Sequence, residues 1–287
     1  MLDISLDAAT EARLVTRFGP GVRPWLAALP ALAGELAARW DLEIVEAVSH
    51  GGTSRTFRVR RADGTGAFLK LTPERAICAS EATALRAWSD SPHVVDLIAT
   101  DVEAGALLLD AVEPGTPVSR LDERPSPREV STLLASLQPA EVPRDLPPLR
   151  ERVAFVFELS RRRLLPGTVQ EDVLDRSLAA ALALAEDGPA GLVHGDLHPG
   201  NVLDGGPRGL VAIDPRPSVG DPAFDAVDWI LGTGAPDLLH DRVAQLGVDS
   251  ERLMRWCRAL AVLFAIPRLN RGARDAETES LLRLAAL

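Results

Sequence analysis

Hydrophobic periodicity changes character once along this chain of 287 residues, and that change limits the possible folds more than any other feature. Up to Asp110 the apolar residues alternate in short segments: Leu42–Val48, Thr56–Arg60, Ala67–Leu71, Val94–Ala99 and Ala106–Asp110. A period of two, broken by turn formers such as "RADGTG" and "DVEAG", marks half-buried antiparallel strands. One helical stretch, Glu74–Trp88, interrupts them after the third strand. From Ser126 onward the period is helical, over Ser126–Leu137, Leu149–Leu165, Thr168–Asp187, Asp221–Leu231, Pro236–Leu246, Asp249–Ile266 and Arg274–Ala286. The expected fold is therefore α+β with two lobes. Residues 1–112 form a small antiparallel sheet with one inserted helix, and residues 113–287 a larger, mostly helical lobe. Asp7–Phe18 and Gly21–Trp40 are helical in pattern and make residues 1–40 an extension of the first lobe, with Pro30 expected to break the second helix.

Two helix starts carry capping signals, Ser126-Pro127-Arg128-Glu129 and Thr168-x-x-Glu171. No apolar run reaches the length of a membrane span, and the acidic, amphipathic start "MLDISLDAATEARL" does not read as a secretory signal. Cys78 and Cys257 stand alone, as free thiols in a reducing cytoplasm do. The net charge of −10 argues against a nucleic-acid partner and suits a cationic small molecule. Of the 31 basic residues only Lys70 is a lysine. In a chain whose other basic positions are all arginine, that one lysine asks for a chemical reason.

"LVHGDLHPGNVL", Leu192–Leu203, sets two histidines, an aspartate and an asparagine between apolar pairs. The apolar flanks anchor a loop to the core, and Pro199-Gly200 allows the turn that returns Asn201 towards Asp196. With Asp214 of "AIDP", the segment offers three oxygen-bearing side chains from two loops. Mg²⁺ takes few protein oxygens and completes its shell with phosphate and water, so Asn201 and Asp214 suit it as a pair. Asp196 is then free to orient or deprotonate a hydroxyl.

"HGDLHPGN" followed by "IDP" resembles the catalytic loop and metal-binding motif of the aminoglycoside phosphotransferases, which are relatives of the protein kinases. The continuation "AIDPRPSVGDPAFDAVDWI" is closest to the branch with streptomycin 6-phosphotransferases and hydroxyurea phosphotransferases. The resemblance implies ATP and Mg²⁺ as cofactors, with Asp196 catalytic and Asn201 and Asp214 on the metal. It asks for a lysine on the third strand, where Lys70 stands, and for a carboxylate on the next helix. Glu81 sits two turns into that helix and fits, although a solvated helix charge is its ordinary reading. Gly51, Gly52, Thr53 and Ser54 of "SHGGTSR" would lie over the phosphates, but they lack the G-x-G-x-x-G spacing and also read as a plain hairpin turn. Adenine would meet backbone around Asp110 and Val112.

The family reading also makes Asp221 a helix N-cap, His194 a structural prop and Asp225 a brace beneath the loop. Asp228 would face the substrate, with Glu277 and Glu279 lining a cationic acceptor's pocket or merely solvated. The acceptor is expected to be an aminoglycoside such as streptomycin, or hydroxyurea. A metabolic alcohol, as in choline, homoserine, methylthioribose or fructosamine kinases, is the alternative, and a non-catalytic nucleotide-binding module a further one.

Overall fold

The computed structural model describes residues 8–48, 53–232 and 239–286. Two compact units emerge, one of residues up to Ser89 with Val95–Val112, the other of Asp90–Val94 with Glu113 onward.

The first unit opens with helices α1 (Ala8–Phe18) and α2 (Arg23–Arg39) and continues with strands β1 (Leu42–Val48), β2 (Arg55–Arg61) and β3 (Gly66–Leu71). Helix α3 (Arg75–Ala87) precedes strands β4 (Leu97–Asp101) and β5 (Ala106–Asp110), and the five strands form one antiparallel sheet in the order β1-β2-β3-β5-β4. Side chains alternate across β3. Ala67, Leu69 and Leu71 enter a core with Phe57, Val59, Ala106 and Leu108 on one face, packed against Leu14, Leu26, Leu29 and Leu36 of the N-terminal helices. Lys70 therefore belongs to the opposite face.

Pro30 does not break α2, contrary to expectation; it sits exposed within a continuous helix. A proline in a helix interior costs roughly 3 kcal/mol. Burying Leu26, Leu29 and Leu36 on the far side of the same helix returns about 1.5–3 kcal/mol each, so packing prevails. The strand expected from Val94 begins at Leu97, because Val94 forms a parallel bridge with Ala212 in the second unit.

The second unit contains α4 (Pro127–Ser136), α5 (Leu149–Arg163), α6 (Glu171–Glu186), α7 (Val227–Leu231), α8 (Leu239–Gln245), α9 (Ser250–Asn270) and α10 (Ala276–Ala285). The Ser126/Glu129 capping box forms in full. The Thr168/Glu171 box does not: Thr168 Oγ1 donates to the Leu165 carbonyl at 2.6 Å, and α6 starts after Gln170 without a side-chain cap. Helix α9, buried along most of its length, packs against α6, α7 and α10. Two short antiparallel ribbons complete the unit. Strand β6 (Gly191–Val193) pairs with β9 (Ser218–Gly220), and β7 (Val202–Asp204) with β8 (Leu210–Ala212). The His194–Asn201 loop runs from β6 to β7, and Asp214 lies between β8 and β9. The segment expected to be helical from Asp221 is a 3-10 turn over Pro222–Ala226 that leads into α7.

Candidate active site

The loop is held from beneath by its own backbone. Asp225 receives the amides of His194 at 2.6 Å and Gly195 at 2.8 Å, one on each carboxylate oxygen. Burial pushes Asp225 up to about 7 against the pull of those two amides. Gly195 has φ +77°, and a Cβ there would lie 2.1 Å from the Arg216 carbonyl oxygen. Only glycine fits. His194, fully buried, donates from Nε2 to the Ile213 carbonyl at 3.0 Å and accepts the Asp196 amide on Nδ1 at 3.3 Å. Burial lowers its pKa to about 4, so the ring is neutral and links the two loops as a prop.

Asp196 emerges from this frame with its side chain 34% exposed. Its Oδ1 accepts from Arg152 at 2.8 Å and its Oδ2 from Asn201 Nδ2 at 3.2 Å, while the Asp196 carbonyl also accepts from Nδ2 at 3.0 Å. Arg152, on α5, donates from Nε to the Gly195 carbonyl at 2.7 Å, so one guanidinium fixes both the loop's backbone and its carboxylate. Nothing in the sequence near Arg152 announces this role; it precedes Asp196 by 44 residues. The arrangement leaves a rigidly oriented carboxylate at the solvent boundary, suited to accept a hydroxyl proton.

Asn201 and Asp214 are brought together by the backbone. The Ile213 amide donates to the Asn201 carbonyl at 2.9 Å, and Asp214 adopts φ +56°, a conformation aspartate tolerates better than most residues. Because Asn201 Nδ2 is committed to Asp196, its Oδ1 is the atom left for a ligand. That oxygen and the Asp214 carboxylate are hard donors of the kind Mg²⁺ takes. No group of three or more His, Cys, Asp or Glu is placed to hold a metal among the described residues, so a metal here would need oxygens from a ligand.

Within the first unit, Lys70 Nζ donates to both Glu81 oxygens, at 2.6 and 2.7 Å, with both residues buried. Glu81 lies on the inward stripe of α3 with Cys78, Ala82 and Leu85, which aims a carboxylate at the sheet face that carries Lys70. Ser54 is buried just ahead of β2, and Thr53 precedes it. Gly51 and Gly52 lie outside the described residues. Asp110 ends β5, its amide bonded to the Asp96 carbonyl at 2.9 Å, and Val112 closes the unit, buried.

The remaining acidic residues have separate duties. Asp221 caps the 3-10 turn at the Ala223 amide, accepts from Trp256 Nε1 at 2.6 Å and pairs with Arg252. Glu277 pairs with Arg268 at 2.8 Å, and Glu279 lies exposed beside Arg283. Glu279 fits the solvated-face reading, whereas Glu277 is half-buried in its ion pair. Asp228 is different: its carboxylate has no hydrogen-bond or ion-pair partner among the described residues.

The family model for aminoglycoside/hydroxyurea antibiotic resistance kinases matches residues 39–272. The chain belongs to this family. It is 37% identical over 251 residues to a hydroxyurea phosphotransferase of Kitasatospora aureofaciens, covering 83% of this chain and 72% of that one. To a streptomycin 6-kinase of Streptomyces glaucescens it is 34% identical over 221 residues, covering 76% and 71%. The fold is likewise kinase-like. Choline kinase LicA from Streptococcus pneumoniae, also solved in complex with AMP, superposes with a TM-score of 0.59 at 13% identity, covering 91% of this chain and 98% of that one. The family member is thus a phosphotransferase, and its kinase fold points to a nucleotide as the phosphoryl donor. No helix among the described residues is long and apolar enough to cross a membrane.

Proposed function

We propose that this chain transfers the γ-phosphoryl group of ATP to a hydroxyl of a small drug-like acceptor, an aminoglycoside such as streptomycin or the hydroxyl of hydroxyurea, and so inactivates it. The observation that carries the reading is Asp196, held by Arg152 and Asn201 in a loop braced by Asp225. In this reading Asp196 accepts or orients the acceptor's hydroxyl proton. Lys70, positioned by Glu81, holds nucleotide phosphates, with backbone from Gly51, Gly52, Thr53 and Ser54 beside them and adenine near Asp110 and Val112. Asn201 Oδ1 and Asp214 would hold Mg²⁺, which when bound neutralises phosphate charge. Phosphoryl transfer has a loose transition state, so alignment and charge supply most of the rate. A kinase of this kind works where ATP is abundant, and two buried free thiols, Cys78 and Cys257, agree with a cytoplasmic setting.

The test is ATP consumption against a panel of aminoglycosides, hydroxyurea and metabolic alcohols, with mass spectrometry for the added phosphate. Asp196→Ala is expected to keep nucleotide affinity and lose turnover by about 10³-fold or more, the scale of a lost catalytic base in an aligned site. Undiminished turnover in that variant would remove Asp196 from the chemistry. ATP consumption that no acceptor accelerates would remove the whole reading.

A further inference from the structure

The turn that carries Asp225 is fastened at two points by a single residue of α9. Asp221, the cap of that turn, is 1% exposed, and its Oδ1 accepts the Ala223 amide at 3.0 Å. Its Oδ2 accepts from Trp256 Nε1 at 2.6 Å and from Arg252 Nε. Arg252 also ties the cluster to α6, donating from Nη2 to the Leu184 carbonyl at 2.7 Å. The Trp256 indole, fully buried, meets the Phe224 ring edge-on, with centroids 5.4 Å apart and planes at 85°. Phe224 immediately precedes Asp225. Both fastenings, Asp221 and Phe224, thus lie just upstream of the carboxylate that receives the His194 and Gly195 amides.

We propose that Trp256 is a positioning residue for phosphotransfer: through Asp221 and Phe224 it fixes the turn that carries Asp225, and through Asp225 the backbone from which Asp196 projects. The inference rests on the reading of Asp196 as the group that handles the acceptor's hydroxyl. The turn is poorly equipped to hold itself. It is a 3-10 segment of five residues, a form with weaker hydrogen-bond geometry than an α-helix. Burial raises Asp225 to about 7 and Asp228 to about 6, and their charges oppose each other across one turn. Another element must therefore hold the segment, and α9, buried along most of its length, does so. The donors matter as much as the packing. A carboxylate as buried as Asp221 is costly without its hydrogen bonds, and the indole N–H is one of two side-chain donors to its Oδ2 among the described residues. The indole is one rigid plane that carries both the N–H and the face against Phe224, so it sets the position of Asp221 relative to Phe224. Any shift of the turn passes to Gly195 through the Asp225 bonds of 2.6 and 2.8 Å, and Asp196 is the next residue. A reaction driven by alignment responds steeply to such shifts: a misplacement of ~1 Å can cost on the order of 10²-fold in rate.

The experiment pairs steady-state kinetics of the full chain, with ATP and either streptomycin or hydroxyurea, with hydrogen exchange of the His194 and Gly195 amides. Trp256→Phe keeps a ring against Phe224 and removes the N–H. Asp221→Asn keeps an acceptor for the Ala223 amide and turns an N–H towards the donors of α9. Each is expected to lower kcat by about 10-fold with KM for ATP unchanged, and to speed exchange of the two amides by about 10-fold. Both substitutions break the same contact. The double variant should therefore turn over no more slowly than Asp221→Asn alone, a result that a general loss of stability does not produce. Should Asp221→Asn not fold, Arg252→Gln takes its place in the cycle. An unchanged kcat in folded Trp256→Phe, a KM for ATP that rises as kcat falls, amide exchange equal to the parent's, or multiplied losses in the double variant would each overturn the proposal. Failure of the phosphotransfer reading looks different: a parent that yields no phosphorylated product, yet whose two amides loosen in the variants, keeps the fastening and loses its catalytic meaning.

Discussion

Removing Glu81 is expected to destabilise the first unit far more than removing the whole Lys70–Glu81 pair. Lys70 and Glu81 side chains are 3% and 1% exposed, and both carboxylate oxygens accept from Nζ. Glu81→Leu takes away the nearest counter-charge of a buried ammonium, and breaking such a pair from one side costs about 3–5 kcal/mol. Lys70→Met removes both hydrogen bonds that Nζ gives the carboxylate and should cost about as much. In the double variant Lys70→Met/Glu81→Leu neither charge remains. Apolar replacement of a buried pair is about neutral or stabilising by 1–4 kcal/mol, so the double variant should lie within ~1 kcal/mol of the parent or above it. The coupling in this cycle should therefore exceed about 3 kcal/mol. Urea unfolding followed by near-UV signals and by hydrogen exchange of β3 and α3 amides reads all four proteins. The double variant should also be folded yet inactive, which separates the pair's cost from its use. Additive losses, with the double variant as unstable as both singles summed, would refute the reasoning.

Arg152→Met is expected to lower kcat by about 10- to 100-fold with little change in KM for ATP, since it frees Asp196 without touching the residues proposed to hold the nucleotide; an unchanged kcat would show that Asn201 alone orients the carboxylate. His194 predicts an acid-labile component of stability. Its folded pKa of about 4 lies below the ordinary 6.5, so its contribution is present above pH 6.5 and is lost as pH falls towards 4. At ~1.4 kcal/mol per pH unit this amounts to about 3 kcal/mol. The stability gap between the parent and His194→Gln should narrow by that amount between pH 7 and 4, measured by denaturant unfolding, because the opposite shifts of Asp225 and Asp228 are common to both proteins. A constant gap would mean that the ring is charged in the folded state.

Short-range information was enough for much of this protein. Strand alternation and helical spacing follow from backbone geometry, so the sheet, its inserted helix and the helical remainder were legible. Glu81 follows from the family resemblance, which asks for a carboxylate on the helix after the lysine strand, and its place two turns into α3 selects it. Asp196 and Asn201 are five residues apart and Asp214 thirteen further on, so one compact stretch contains all three residues of the proposed catalytic and metal-binding set. Where long-range packing outweighed a local rule, the sequence misled. Pro30 stays helical because three leucines on the same helix are buried, and Thr168 bonds backward to Leu165 instead of capping α6.

The order of elements, the polar loop between apolar flanks and the singular lysine were thus properties of the sequence itself, since each depends on neighbours within a few positions. Which distant side chains complete that loop was decided only in three dimensions. Arg152 reaches Asp196 from another helix, Trp256 and Arg252 converge on Asp221, and Asp228 is left without a partner at the wall of a pocket. Hydrogen bonding and burial are properties of surroundings, and the surroundings of a residue come mostly from parts of the chain far from it in sequence.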